Sequence, residues 1–210
     1  MARHDVELHV IYGIPCVGKS TAAIELASRR NIRTVIHTDY VREVQRRFTP
    51  TQQAPALAKV THNAWQLHGP PKRANIETGF LDHVHEVAIG IHAIISKLVS
   101  DGFAAVIEGA HFHGALINEL RAAHAGAEVH ATLLVVNTAE ELHQRISDKE
   151  RQRSGQAIQK HWHERMAVML KLQDFLISDA RAHRIGVSTV EKWRESCLPA
   201  DAGCSTLTTS

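Results

Sequence analysis

An α/β fold, with a parallel sheet covered by helices on both faces, is predicted by three observations. Short apolar runs alternate with segments of helical spacing along most of the 210 residues. The first run breaks at Gly13 and leads, through a glycine-punctuated turn, directly into a helix. The run at residues 103–107 is continuously apolar rather than alternating, as strands buried on both faces are.

The elements follow in order. Residues 7–12 read as a buried strand, and residues 19–30 as a helix whose Ala22, Ala23, Leu26 and Ala27 face a core. Residues 34–37 form a second β-rich run, and residues 39–48 a helix. Residues 49–71 carry Pro50, Pro55, Pro70 and Pro71 around a short helix at about residues 57–67, the composition of an insertion or mobile cap. Residues 75–100 predict a long helix, because Ile76, Phe80, Val84, Val87, Ile91, Ile95 and Leu98 recur at spacings of three and four and Asp101-Gly102 ends the pattern. Then come a strand at 103–107, a helix at 115–124, a strand at 129–136, helices at 139–151 and 161–182, and a last strand at 185–189. Residues 1–198 are expected to form one domain. Within it, residues 49–100 are a helical insertion on the substrate side, residues 145–160 a lid, and residues 199–210 a flexible tail.

Gly13-Ile14-Pro15-Cys16-Val17-Gly18-Lys19-Ser20 fits the P-loop (Walker A) pattern of P-loop NTPases in full, and Thr21 continues it. The glycines permit backbone angles that turn amide groups inward onto phosphate oxygens. The helix that starts at Lys19 presents its positive end to the same anion. Lys19 can reach the β- and γ-phosphates, and the Ser20 hydroxyl can ligate Mg²⁺. ATP and Mg²⁺ are the expected cofactors. A strand before the motif and a helix after it supply the context the pattern requires.

Phosphoryl transfer needs a metal, cations around the transferring group, and a group that orients the acceptor hydroxyl. Asp39 stands at the C-terminal end of the second strand, where ligands of parallel sheets collect, and can accept or orient that proton; it could also cap the following helix. Arg42, one turn later, is expected to face the same cleft, with Arg46 beyond it. Glu108 closes the third strand in the place of the acid that holds metal-bound water, or acts as the base itself; His111 follows three residues on. The residues alone do not divide the base role between Asp39 and Glu108. Arg145, Arg151 and Arg153 suit a lid that carries positive charge to the phosphoryl group, or a solvated basic helix end. His62, Asn63, Trp65 and Gln66 form a polar and aromatic cluster in the insertion, able to read an acceptor or to anchor the cap.

Composition excludes other classes. A net charge of +2 with no basic run argues against nucleic-acid and membrane-surface binding, so a small-molecule acceptor is the expected partner. The apolar stretches are far short of a membrane span, the first residues lack a signal peptide's apolar core, and Cys16, Cys197 and Cys204 are scattered; together these predict a cytoplasmic setting. The 16 histidines, including the pairs His83/His85, His111/His113 and His161/His163, are too dispersed for a metal cluster and read as surface or substrate-facing groups. Oligomeric state is not written in the sequence, and a homodimer is compatible with it.

At this point the chain resembles the 2-phosphoglycerate kinase family, relatives of zeta toxin and chloramphenicol phosphotransferase among P-loop kinases. The resemblance rests on residues 13–21, Thr38-Asp39-Tyr40-Val41-Arg42-Glu43, residues 62–65, Gly79-Phe80-Leu81-Asp82-His83 with Gly90-Ile91, and Val106-Ile107-Glu108-Gly109-Ala110-His111. Leu172-Gln173-Asp174-Phe175-Leu176 is a fainter echo. The resemblance implies an adenylate-kinase-like three-layer core, Mg·ATP, and an acidic acceptor converted to a bisphosphate. It gives Lys19 and Ser20 nucleotide and metal roles, and Asp39, Arg42, Glu108 and His111 catalytic or acceptor-side roles; His62, Trp65 and His83 fall in the matching stretches and are candidate acceptor contacts. The lid around His143 and Arg145 matches only loosely. Two other readings remain open at this point: a kinase for a larger acceptor, such as an antibiotic or a nucleotide sugar, and a nucleotide-dependent switch. A larger acceptor needs a wide stacking cleft near Trp65; a small anionic one needs a tight basic pocket.

Overall fold

The computed structural model describes residues 6–152 and 162–197. Five strands form one sheet: β1 (Val6–Tyr12), β2 (Thr34–His37), β3 (Ala105–Gly109), β4 (Ala127–Val135) and β5 (Gly186–Thr189). Their spatial order is β2-β3-β1-β4-β5 and every pairing is parallel. This is the predicted α/β P-loop fold, with the adenylate-kinase-like arrangement of the sheet between helical layers. The order reverses direction beside β1, so the loop after β1 opens at a switch point, where parallel sheets gather their ligands.

The helices are α1 (Lys19–Arg29), α2 (Thr38–Phe48), α3 (Arg73–Asp101), α4 (Gly114–Ala123), α5 (Ala139–Gln152), α6 (Trp162–Ala182) and α7 (Val190–Cys197). In α1 the buried residues are Ala22, Ala23, Leu26 and Ala27, and their small side chains bring the helix close to the sheet. All seven apolar positions expected along α3 are buried. Each contributes on the order of 1.5–3 kcal/mol relative to exposure. Gly102, with φ of 73°, ends α3 in the left-handed conformation, and its amide donates to the Leu98 and Val99 carbonyls.

Three parts depart from the sequence reading. The helix expected near residues 57–67 is two 3-10 segments, Pro55–Ala58 and Thr61–Leu67. The second lies so close to α3 that a Cβ on Gly79 would come 2.5 Å from the Ala64 carbonyl carbon and the Trp65 amide nitrogen. Phe103, read as the start of a buried strand, is 59% exposed, because β3 begins only at Ala105. Finally, α7 was not expected. It is short and polar, yet its Val190 and Trp193 are buried, and Arg194 ties it to Glu25 of α1 with two hydrogen bonds. Among the described residues no helix is long and apolar enough to cross a membrane.

Candidate functional site

The site assembles at the C-terminal ends of β1, β2 and β3. Gly13 and Gly18 adopt φ of 146° and 95°, and Cys16 takes φ of 68°. A non-glycine residue in that region costs on the order of 1–2 kcal/mol, a strain that concentrates at functional sites. Here it curls the loop into an anion-binding concavity against the first turn of α1. No side chain fits at Gly13, whose Cβ would collide with the Leu134 carbonyl of β4. Ile14 and Val17 are core residues that anchor the loop, while Pro15 and Cys16 are half-buried and Thr21 is exposed.

Lys19 lies along the loop, its Nζ donating to the Ile14 carbonyl at 2.8 Å. Burial lowers its pKa, against the opposing pull of the Glu108 and Asp39 carboxylates, so both acids stand within electrostatic reach of this ammonium. Lys149 of α5 also acts on it with like charge. That residue was missed by the sequence reading; it lies four positions beyond Arg145, with its Nζ 5.2 Å from the Trp162 ring centroid.

Glu108 is 5% exposed and is bonded through one oxygen on two sides. Ser20 Oγ donates to its Oε1 at 2.9 Å, and His37 Nδ1 lies 2.5 Å from the same oxygen. The strand register explains the second contact, because His37 and Glu108 are partners across β2 and β3. Ser20 and Glu108 therefore form an oxygen pair at the mouth of the phosphate loop, a donor set that suits Mg²⁺ with retained waters. No group of three or more His, Cys, Asp and Glu side chains able to hold a metal occurs among the described residues.

Asp39 is the second residue of α2 rather than its cap; His37 holds the cap position without a side-chain cap bond. The Asp39 side chain is 71% exposed, and its Oδ1 is 3.9 Å from His111 Nε2. His111 is fully buried, with Nδ1 2.6 Å from Thr38 Oγ1 and Nε2 3.5 Å from Thr61 Oγ1. Burial, with Arg42 and Lys19 nearby, pushes its pKa down to about 3. His83, on α3, is also fully buried and neutral, its pKa pushed down to about 2 by burial and by His111 and Arg42. Neither ring nitrogen of His83 has a hydrogen-bond partner among the described residues. His62 is buried beside this group, and the Trp65 Nε1 donates to the His62 carbonyl at 3.1 Å.

The arginines are more engaged than the sequence suggests. Arg42 turns its Nη1 to the carbonyls of Leu57 and Lys59, at 3.0 and 2.7 Å, and so ties α2 to the insertion. Its Nε is buried without a partner. Arg46 forms a two-pronged pair with Glu43. Arg145 bridges Glu141 and Glu191, at 2.7 Å to each. The latter contact ties α5 to α7, whose first residue, Val190, packs against Gly18 of the phosphate loop. Arg151 pairs with Asp148 on an exposed face. Arg153 and the second half of the expected lid, residues 153–160, lie outside the described residues. The structure thus gathers Lys19, Ser20, Asp39, Glu108, His62, His83 and His111 with Arg42. It adds His37, Thr38, Thr61 and Lys149, and leaves Arg46 and Arg151 in local surface pairs.

Among curated proteins, the chain is similar to a 2-phosphoglycerate kinase of Pyrococcus furiosus, 34% identical over 186 residues, which are 87% of this chain and 59% of that protein. It is 31% identical to a 2-phosphoglycerate kinase of Methanopyrus kandleri over 88% of this chain and 56% of the relative. The chain therefore spans less than two thirds of the length of these relatives. A solved gluconokinase of Sinorhizobium meliloti aligns at 16% identity with a TM-score of 0.49, over 93% of this chain and 91% of that one. The AAA domain (AAA_33) profile matches residues 8–172, most of the chain, which thereby belongs to that family.

Proposed function

We propose that the chain is an ATP-dependent phosphotransferase that acts on a hydroxyl of a small anionic acceptor, 2-phosphoglycerate or a related hydroxy acid. The observation that carries this reading is the Ser20–Glu108 bond, which joins a full phosphate loop to an acid at the end of β3, with the open carboxylate of Asp39 at the end of β2. The similarity to curated 2-phosphoglycerate kinases supports the choice of acceptor.

The two acids take different roles in this reading, and their surroundings support the division. Glu108 already accepts from Ser20 and His37, so it belongs to the metal side. Asp39 is open and lies near Lys19, so it is the group that takes or orients the acceptor proton. Ser20, and Glu108 through water, would hold Mg²⁺, whose charge neutralises the phosphate oxygens when bound. The acceptor oxygen forms its bond to the γ-phosphorus as the bond to the β,γ-bridging oxygen breaks. The proton passes to Asp39, and Lys19 offsets the negative charge on the phosphate oxygens. Lys149 adds positive charge from α5, while Arg145, held between Glu141 and Glu191, would have to leave them to join it.

On the acceptor side, Arg42 supplies charge and the neutral His83 and His111 supply hydrogen bonds. Trp65 is tied back to His62 rather than left to flank a broad stacking cleft, which favours a small acceptor over an antibiotic or nucleotide sugar. The test is incubation with Mg·ATP and a panel of 2-phosphoglycerate, 3-phosphoglycerate, glycerate, hydroxylated antibiotics and nucleotide sugars, read by mass spectrometry. A bisphosphoglycerate product is expected. Transfer only to a larger acceptor overturns the substrate, and ATP binding without any transfer overturns the phosphotransferase.

A further inference from the structure

Thr38 opens α2 between β2 and Asp39, and it is fully buried. Its hydroxyl is 2.6 Å from His111 Nδ1. Space for that hydroxyl exists only because residue 109 is glycine, since a Cβ there would overlap Thr38 Oγ1. The other ring nitrogen of His111 faces Thr61 Oγ1 at 3.5 Å and the Asp39 carboxylate at 3.9 Å.

A neutral imidazole has one N–H, and the group facing its other nitrogen decides which nitrogen carries it. A carboxylate only accepts, so an N–H on Nε2 suits Asp39, whereas a lone pair there would repel it. A hydroxyl can donate to Nδ1 and leave the proton on Nε2. Burial keeps His111 uncharged, so the choice of tautomer persists over the working pH range.

We infer that Thr38 is a positioning residue: by donating its hydroxyl proton to His111 Nδ1, it holds the His111 N–H on Nε2, aimed at Asp39 and the acceptor side of the cleft. The effect on turnover rests on the proposed role of Asp39. The tautomer itself does not, so the two can fail separately.

The experiment uses nitrogen-15-labelled histidine in the full chain, with the His111 signals assigned by their loss in His111→Gln. Long-range proton–nitrogen correlation spectra are expected to show the Nε2–H form in the wild type. Thr38→Val should shift the unprotonated Nδ1 resonance of His111 downfield, because that nitrogen loses the hydroxyl that donates to it, and Thr38→Ser should restore it. In the phosphoglycerate assay, Thr38→Val should lower kcat by roughly 10- to 100-fold with unchanged ATP affinity, the scale of a small misplacement near the chemistry. Thr38→Ser should recover most of that loss. An Nδ1–H tautomer in the wild type overturns the inference even if Thr38→Val fails to fold. So does a Thr38→Val variant whose Nδ1 resonance is unchanged, or one that loses this bond and keeps full turnover. A wild type with the Nε2–H form but no phosphotransfer would sink the proposed function and leave the tautomer assignment standing.

Discussion

His83 and His111 meet at right angles, with ring centroids 4.9 Å apart and planes inclined at 90°. Their positions differ chemically. His111 has a hydroxyl within reach of each nitrogen, whereas both nitrogens of His83 are buried without a partner. An unsatisfied buried polar group costs roughly 1–3 kcal/mol. If the proposed acceptor reaches this group, His83 has unused hydrogen-bonding capacity to offer it. His83→Leu should therefore raise the melting temperature or leave it unchanged, while raising the acceptor KM at least 10-fold. A large fall in melting temperature with an unchanged KM would make His83 a packing residue only.

The same pair predicts acid sensitivity. Both histidines have folded pKa values below the ordinary 6.5, at about 2 and about 3, so below pH 6.5 the unfolded chain binds protons that the folded chain refuses. Stability is then lost as pH falls from about 6.5 toward 3, by up to about 1.4 kcal/mol per pH unit for each such group. Thermal unfolding followed from pH 7 to pH 4 should show a shallower decline in His83→Leu than in the wild type. Parallel curves would mean that His83 does not titrate differently in the two states.

Asp39→Asn separates the two acids. It leaves the phosphate loop and the Ser20–Glu108 pair intact, so ATP affinity by calorimetry should hold while kcat falls by roughly 100- to 10,000-fold. Glu108→Gln should instead raise the Mg²⁺ concentration needed for half-maximal activity. If Asp39→Asn keeps its turnover and Glu108→Gln loses it at saturating Mg²⁺, the base is Glu108.

Much of this site was legible in the sequence because its signals are local. The phosphate loop is eight contiguous residues, and Asp39 and Glu108 each follow an apolar strand. His37 and Thr38 were not legible. His37 matters through the pairing of β2 with β3, 71 positions away in the chain, and Thr38 through the absence of a Cβ at Gly109. Helical spacing put Arg42 on the same side of α2 as Asp39, but spacing could not show that two carbonyls of the insertion would draw its guanidinium. The 3-10 form of residues 61–67 was not legible either; the segment packs closely on Gly79 of α3, a contact that local spacing does not reveal. For α7, eight residues, of which Val190 and Trp193 are buried, carry too little periodicity to read.

Gly79 shows how closely the cap depends on one atom. Glycine in a helix interior is about 1 kcal/mol less favourable than alanine, so an alanine at an open position of α3 would stabilise the chain. At residue 79 a Cβ meets the backbone of Ala64 and Trp65 at 2.5 Å, and backbone cannot rotate away as a side chain can. Gly79→Ala should therefore destabilise the chain and push residues 61–67 outward, carrying His62, Trp65 and the Thr61 hydroxyl away from His111. The expected result is a lower melting temperature and a raised acceptor KM, with ATP affinity unchanged because no residue of the phosphate loop takes part in this contact. Gly102→Ala is the control: its Cβ meets nothing within 4 Å, so its cost is the left-handed backbone at φ of 73° alone, and it should lower stability without moving the acceptor KM. If Gly79→Ala is as stable as the wild type and binds the acceptor equally well, the cap does not rest on α3 in the way that contact implies.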